Sequence, residues 1–354
     1  MSQNARNLAL LLGLAALVGA LAHGLARRTT GPHGLLEGAP ERAVVLAELN
    51  VPALRASALF RSLAGETSTG LDHVRDACGL DMLDSLERVE VYVLGEGDGP
   101  NGRGEALGEV AFLARGPLDP EALARCLAEV VADDGGGVHR TTIEGAEAIA
   151  SDQGLGVAAA LGQDGFVAGS EVVVAELLRI DAGTSTGLRR DDVLERLYRR
   201  TARDGAGAPA HVRLLARLPR AWRQLLGRIG RVGVEGLSLE QTEALGLGLS
   251  VTDGVSLSLA FGLESQGAAS SAARALEERI SEARRAPELA ESALAVALAH
   301  VELESEGPDL LVRADLARPE LDATLALARR LLAAERRSDA GAPDADEADA
   351  QPEW

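Results

Sequence analysis

The feature that most restricts this chain is a repeated junction: a strand-like apolar run, then proline, then a helical stretch. "AVVLAELN" gives way through Pro52 to "ALRASALFRSLAG", and "EVAFLARG" leads through Asp119-Pro120 to "EALARCLAEVVA". "HVRLLARL" passes through Pro219 to "RAWRQLLGRIG", and "DLLVRADLAR" through Pro319 to "ELDATLALARRLL". Proline suits the first turn of a helix, where the amide it lacks would have no intrahelical partner. Each junction therefore marks where a strand must stop. Asp119 supplies an N-cap, and Glu121 suits the positive end of the helix dipole. Leu123, Cys126, Leu127, Val130 and Val131 then share one helical face, a core-facing stripe.

Two further units lack the proline: "GFVAGS" before "EVVVAELLRI", and "VSLSLAFGLES" before "AARALEERISEA". In chain order the first unit resembles the fourth, the second the fifth and the third the sixth. "GAEAIAS" precedes the third unit as "HVELESE" precedes the sixth. The pattern predicts an internal duplication, with a first α+β repeat at 43–182 and a second at 208–335. Residues 183–207, helical in "LRRDDVLERLYRR", form the connector. Turn signals in "TDG" and "EGPD" favour antiparallel pairing. The expected fold is α+β: two duplicated halves, each a mainly antiparallel sheet with helices packed on one face, after an N-terminal transmembrane or signal helix. Residues 29–42 read as a linker, and 336–354 as an acidic disordered tail.

The segment 1–28 carries the clearest functional signal. Leu8 to Ala26 is uncharged and mostly apolar, and as a helix it would span about 28 Å, close to the hydrocarbon thickness of a bilayer. A membrane anchor fits. So does a cleavable signal peptide, with Arg6 in its n-region, Leu8–Val18 as h-region and Ala20-Leu21-Ala22 as the cleavage site. The apolar run continues past Ala22, which favours the anchor. Arg6 on one side and Arg27 and Arg28 on the other leave orientation nearly balanced. A short hydrophobic segment before a large body favours export. Cys78 and Cys126 match no metal motif. They either pair as a disulfide or stay free as small hydrophobes on helix faces.

Composition removes one class of partner. The net charge is −19 and aromatics make up 2% of the chain, so a basic stripe or a base-stacking platform for nucleic acid is not expected. All 35 basic residues are arginine, the mark of a GC-rich coding bias.

Most of 43–180 resembles a family of exported bacterial proteins classed only as a domain of unknown function. The resemblance rests on "AELNVPALRAS", "TGLD", "GLDMLDSLERVEVYV", "EVAFLARG" and "IEGAEAIASDQGLGVAAALGQDGFVAGSEVVVAELL". It implies an exported or membrane-anchored protein, and no catalytic residues are established in that family to carry over.

Several local motifs invite chemistry. "GTSTG" has the G-x-S-x-G form around Ser185, but a nucleophile elbow needs a strand before the serine, and helical "EVVVAELLRIDA" precedes it. "TSTGL" recurs around Ser68, with Glu66 in place of the first glycine, so both copies read as loops with helix-capping hydroxyls. "GDGPNG", Gly97 to Gly102, fits G-x-G-x-x-G yet leads to another strand and reads as a hairpin loop. Its acids Glu96 and Asp98, with Asn101, miss the EF-hand spacing. His23, His33, His73, His139, His211 and His300 form no metal-binding spacing. His211 and His300 read as partly exposed strand starts. Asp133–Asp134 and Asp191–Asp192 read as loop or helix-start acids rather than acid–base pairs.

These features predict a non-enzymatic envelope protein with no cofactor, catalytic or metal residues. Its body would lie outside the cytoplasm and bind a protein partner or an apolar ligand. The alternatives are soluble periplasmic release after Ala22, an exported hydrolase whose site converges in three dimensions, and a scaffold subunit of an envelope assembly.

Overall fold

Asn50 shows how the repeated junction works. Strand β1 (Ala43–Asn50) ends there in an extended conformation, and the Asn50 side chain accepts a hydrogen bond from Ala53 N at 3.1 Å. That bond satisfies one of the orphan amides of the helical turn Val51–Ala56, with Pro52 in its first turn. The computed structural model describes residues 35–57, 85–95, 109–117, 136–188 apart from 155, 163 and 164, 191–203, 209–219, 241–285 and 298–322, with the single positions 122, 126 and 223. Among these lie helices α1 (Leu35–Gly38), α2 (Val51–Ala56), α3 (Glu171–Asp181), α4 (Asp192–Thr201) and α5 (Gln266–Arg285). The remaining strands are β2 (Arg88–Leu94), β3 (Val110–Arg115), β4 (Val138–Ile143), β5 (Ala146–Ser151), β6 (Val157–Ala160), β7 (Gly165–Gly169), β8 (Val212–Arg217), β9 (Thr242–Val251), β10 (Val255–Leu263), β11 (Val301–Glu306) and β12 (Asp309–Leu316).

The fold is α+β, built on a large antiparallel sheet. All 12 strands among the described residues belong to that sheet, in the order β11-β12-β10-β9-β8-β1-β2-β3-β7-β6-β5-β4. The two regions expected to form separate sheets therefore share one, joined where β1 pairs antiparallel with β8 through Leu46↔Leu215 and Glu48↔Arg213. Outward from this seam the order is β1-β2-β3-β7 on one side and β8-β9-β10-β12 on the other.

Helices lie on both faces of the sheet, not on one as expected. Leu46, Tyr92, Val167 and Leu215 face α3 and α4, whose Val173, Val174, Leu177, Leu194 and Leu197 complete the largest core cluster. Alternate residues point the other way: Leu49, Val89 and Val91 pack with Val51 and Leu54 of α2, and Leu263 and Leu310 pack with Ala269 and Ala272 of α5. β9 shows why α4 settles where it does. Its α4 face is a row of small residues, Thr242, Ala244, Gly246, Gly248 and Ser250, all buried. A Cβ on Gly246 would stand 3.2 Å from Leu197 Cβ, and one on Gly248 would run into the Thr201 carbonyl. The missing side chains let the last turn of α4 lie close to the strand.

The expected linker and connector both contribute residues to the core. Leu35 and Ala39, inside the expected linker, are 0% exposed. The connector contributes α4, whose Leu194 and Leu197 are also 0% exposed. No helix among the described residues is long and apolar enough to cross a membrane. Leu8–Ala26 and the tail 336–354 lie outside the described residues, as do Ser68, the Gly97–Gly102 loop, His23, His33, His73 and Asp133–Asp134.

Candidate functional site

Glu48, Arg88, Glu90 and Arg213 meet on the α3/α4 face, at the seam between β8, β1 and β2. Register places Glu48 directly opposite Glu90 on one side and Arg213 on the other. Two carboxylates opposed in this way repel each other. Arg88 resolves the conflict by reaching both, with Nε 3.2 Å from Glu48 Oε1 and Nη2 2.5 Å from Glu90 Oε1. Arg213 Nη2 donates to the same Glu48 oxygen at 2.8 Å. Tyr92 OH donates to Glu90 Oε2. Above them the guanidinium of Arg213 lies 4.7 Å from the ring centroid of Tyr198, carried by α4. The main chain at Gly38 of α1 passes close by: a Cβ there would be 3.4 Å from the Tyr92 hydroxyl.

These groups sit deep. Tyr92 is 0% exposed, Glu48 and Glu90 are each 4% exposed, and Arg88 is 8% exposed. Burial raises the pKa of Glu90, and the opposing pull of Arg88 and the Tyr92 hydrogen bond do not cancel it. Burial also drives Tyr92 well above the ordinary phenol value, with the Glu90 charge acting in the same sense. For Arg88 burial acts downward, but Glu90 and Glu48 outweigh it and hold the pKa above its usual value. Two carboxylates and two guanidiniums balance in charge, and Glu48 Oε2 makes no hydrogen bond with a described residue. The arrangement fixes charges against one another and ties three central strands together.

A second ionic set anchors α4. Asp309, 2% exposed, takes Arg196 Nε and Nη2 on its two oxygens, each at 3.3 Å, with Arg200 at 3.9 Å. Asp191 caps the helix start, accepting from Val193 N and Leu194 N, each at 3.1 Å, and pairs with Arg217. Asp192 follows in the first turn.

The sequence motifs resolve individually. Ser185 follows α3, and no strand precedes it. Gly183 stands at φ 69, with Gly183 N bonded to Ile180 O and Thr184 N to Arg179 O. This is a Schellman helix exit, which requires glycine at that place. The elbow order of strand, serine and helix is therefore not formed. His211, expected to be partly exposed, is 8% exposed, and its Nδ1 accepts from Val251 N at 3.1 Å. His139 meets Asp152 at 2.6 Å and His300 meets Glu320 at 3.0 Å. Among the described residues no group of three His, Cys, Asp or Glu is placed to hold a metal. Cys126 is disulfide-bonded; the chain's other cysteine, Cys78, lies outside the described residues.

A concave surface lies elsewhere, at the edge of the sheet. Between α5 and β11 runs a groove of about 390 Å³, lined by Ala273, Arg274, Ile280, Ser281, Val301 and Leu303 among others. Sequence reasoning identified the strands and helices involved but neither the groove nor the buried ionic set. The signal for the latter was Arg88-x-Glu90-x-Tyr92 alternating with three valines, a pattern that ordinarily means one wet face.

No protein-family model matches the chain, and no curated protein matches it. Among solved structures it is similar to crystal forms I, III and IV of a protein called TP0453. Identity is 10–11% and TM-scores are 0.43–0.44, over 82% of this chain and 95–96% of theirs.

Proposed function

We propose that this is a bacterial cell-envelope protein, held at the inner membrane through Leu8–Ala26, whose body lies outside the cytoplasm and binds a protein partner or an apolar ligand without turning over a substrate. The observation that carries this reading is the disulfide at Cys126. Disulfides persist in oxidising compartments and are rare in the reducing cytosol. The uncharged segment Leu8–Ala26 provides the route out, and the resemblance of 43–180 to an exported family agrees with it. Within the body, the β1-β2-β3-β7 and β8-β9-β10-β12 orders on either side of the seam support an ancestral duplication. The buried ionic set is the join of the two halves in this reading, and the binding surface lies away from it.

The test is membrane partition and intact mass of the tagged chain expressed in a bacterium and washed with carbonate. Full-length protein in the pellet, with its body digested by protease in intact spheroplasts, is the expected result. A body protected in spheroplasts would overturn the export reading, and a soluble mass beginning at His23 would replace the anchor with a cleaved signal. Alkylation of the denatured chain without reductant should add no mass. Reduction should lower stability by about 2–5 kcal/mol, the usual worth of a native disulfide.

A further inference from the structure

Among the described residues the two edges of the sheet are β4 and β11. β11 pairs with β12 from Val301↔Ala314 to Glu306↔Asp309 without a register shift, and no described strand pairs with its other side. Strand edges that must not be extended are blunted by charged side chains, proline or a bulge. β11 has neither proline nor bulge, and its three charges are all acidic, so they bar an acidic strand and not a basic one. Its residues alternate: Val301, Leu303 and Ser305 line the groove under α5, while Glu302, Glu304 and Glu306 are exposed on the opposite face, Glu304 paired with Arg313 and Glu306 with Arg200. The wall of the groove is a single stripe of α5, with Ser270, Arg274, Glu277, Ser281 and Arg284 at helical spacing. Arg284 ties the start of β11 to α5, donating from Nε to Leu298 O at 3.1 Å and from Nη2 to Val301 O at 3.4 Å. The edge is therefore held straight beside a trough with room for alternate side chains.

We propose that β11 is the docking edge for an extended basic segment of another protein, which adds to the sheet as a further antiparallel strand. This deepens the partner-binding reading above and rests on it. Backbone hydrogen bonds along β11 would supply the affinity. Alternate side chains would supply the selection: aliphatic or small residues enter the groove beside Val301 and Leu303, and Lys or Arg lies along Glu302, Glu304 and Glu306. The net charge of −19 attracts a basic segment at long range and repels an acidic one. A second copy of the same chain, equally acidic, is a poor occupant of this edge.

The test is fluorescence anisotropy of the purified full-length chain, in mild detergent, with a labelled peptide alternating Lys and Val and long enough to span β11. A Glu–Val peptide of equal length is the comparison. Saturable binding of the basic peptide alone is expected, weakened at least about tenfold by Glu302→Lys with Glu304→Lys. The distant exposed pair Glu147→Lys with Glu171→Lys should leave affinity nearly unchanged, and both variants should still unfold cooperatively in urea. Equal binding of the two peptides, equal weakening by the two variants, no binding, or sedimentation showing copies joined through β11 would each overturn the proposal. Binding is read on purified protein, so a cytoplasmic location would sink the envelope reading and leave this result standing.

Discussion

The pair Arg88–Glu90 at the centre of the sheet and the pair Arg313–Glu304 at its margin are the same chemistry in two settings. The central side chains are 10% and 5% exposed, and the marginal ones 35% and 48%. Both join an arginine to a glutamate, at 2.5 Å and 3.1 Å respectively. Water does most of the work of stabilising charge at the margin, so that pair has little to add. At the centre water is excluded, so each charge depends on its partners. The difference teaches that ion pairs here cannot be counted; they have to be weighed by what replaces them when one member is removed.

The sharpest way to test this contrast is Arg88→Met. The variant leaves Glu90 and part of Glu48 without their cation at a site each reaches with 4% exposure. Breaking a buried pair from one side costs about 3–5 kcal/mol, because the stranded charge has no solvent to retreat to. Urea unfolding should show a loss of that order. A loss below about 1 kcal/mol would put centre and margin on the same footing.

Next in size is Gly248→Ala, which tests the seating of α4 above the seam. The added methyl meets the Thr201 carbonyl, a backbone atom that cannot swing aside. Overpacking of this kind costs about 1–3 kcal/mol. Thermal unfolding would show it, and an unchanged midpoint would mean that α4 slides freely over β9.

Much of this was legible in the chain and some was not. The strand–proline–helix junctions placed β1, β8 and β12, because a proline in the first turn and a polar cap act locally and need no tertiary partner. The hairpin at "EGPD" was equally local. What the sequence concealed is set by burial on both faces. "RVEVYVL" reads as a half-wet strand, yet β2 lies at the middle of the sheet with α1 over one face and α2 over the other. Arg88, Glu90 and Tyr92 are tolerated inside because Glu48 and Arg213 arrive from neighbouring strands, and pairings between residues 165 apart, such as Glu48 with Arg213, leave no mark on a local pattern. The small-residue row of β9 had a trace in "ALGLGLS", but only the docked helix shows that close approach is its purpose. Leu35, in a short stretch between Pro32 and Pro40, looked like linker because one helical turn has too little periodicity to read.

The comparison sharpens further with pH. Glu90 keeps its proton to a higher pH in the folded chain than in the unfolded one, because burial outweighs the attraction of Arg88. A group with a raised folded pKa contributes stability that is fully present below its ordinary value of 4.5 and is lost as pH rises through the folded value. Glutamine cannot ionise, and its side-chain oxygen still accepts from Tyr92 OH. Glu90→Gln should therefore gain on the parent as pH rises from below 4.5 to neutrality, when the two are compared by urea unfolding across that window. A difference independent of pH would mean that Arg88 fully compensates the buried carboxylate.

The smallest effect belongs to the margin. Glu304→Gln removes one member of an exposed cross-strand pair on β11, where water and salt already screen the charges. Arg313 is not stranded by the change, since it is 35% exposed and regains its hydration. The expected loss is about 0–1 kcal/mol, shrinking as salt is added, by the same urea measurement used for Arg88→Met. A loss rivalling that of Arg88→Met would mean the edge is not open to water, and that something covers β11 even in the isolated chain. The least consequential substitution for stability is thus also a check on whether the docking edge is vacant: a glutamate whose pair with Arg313 costs little to break can exchange that arginine for a partner's cation.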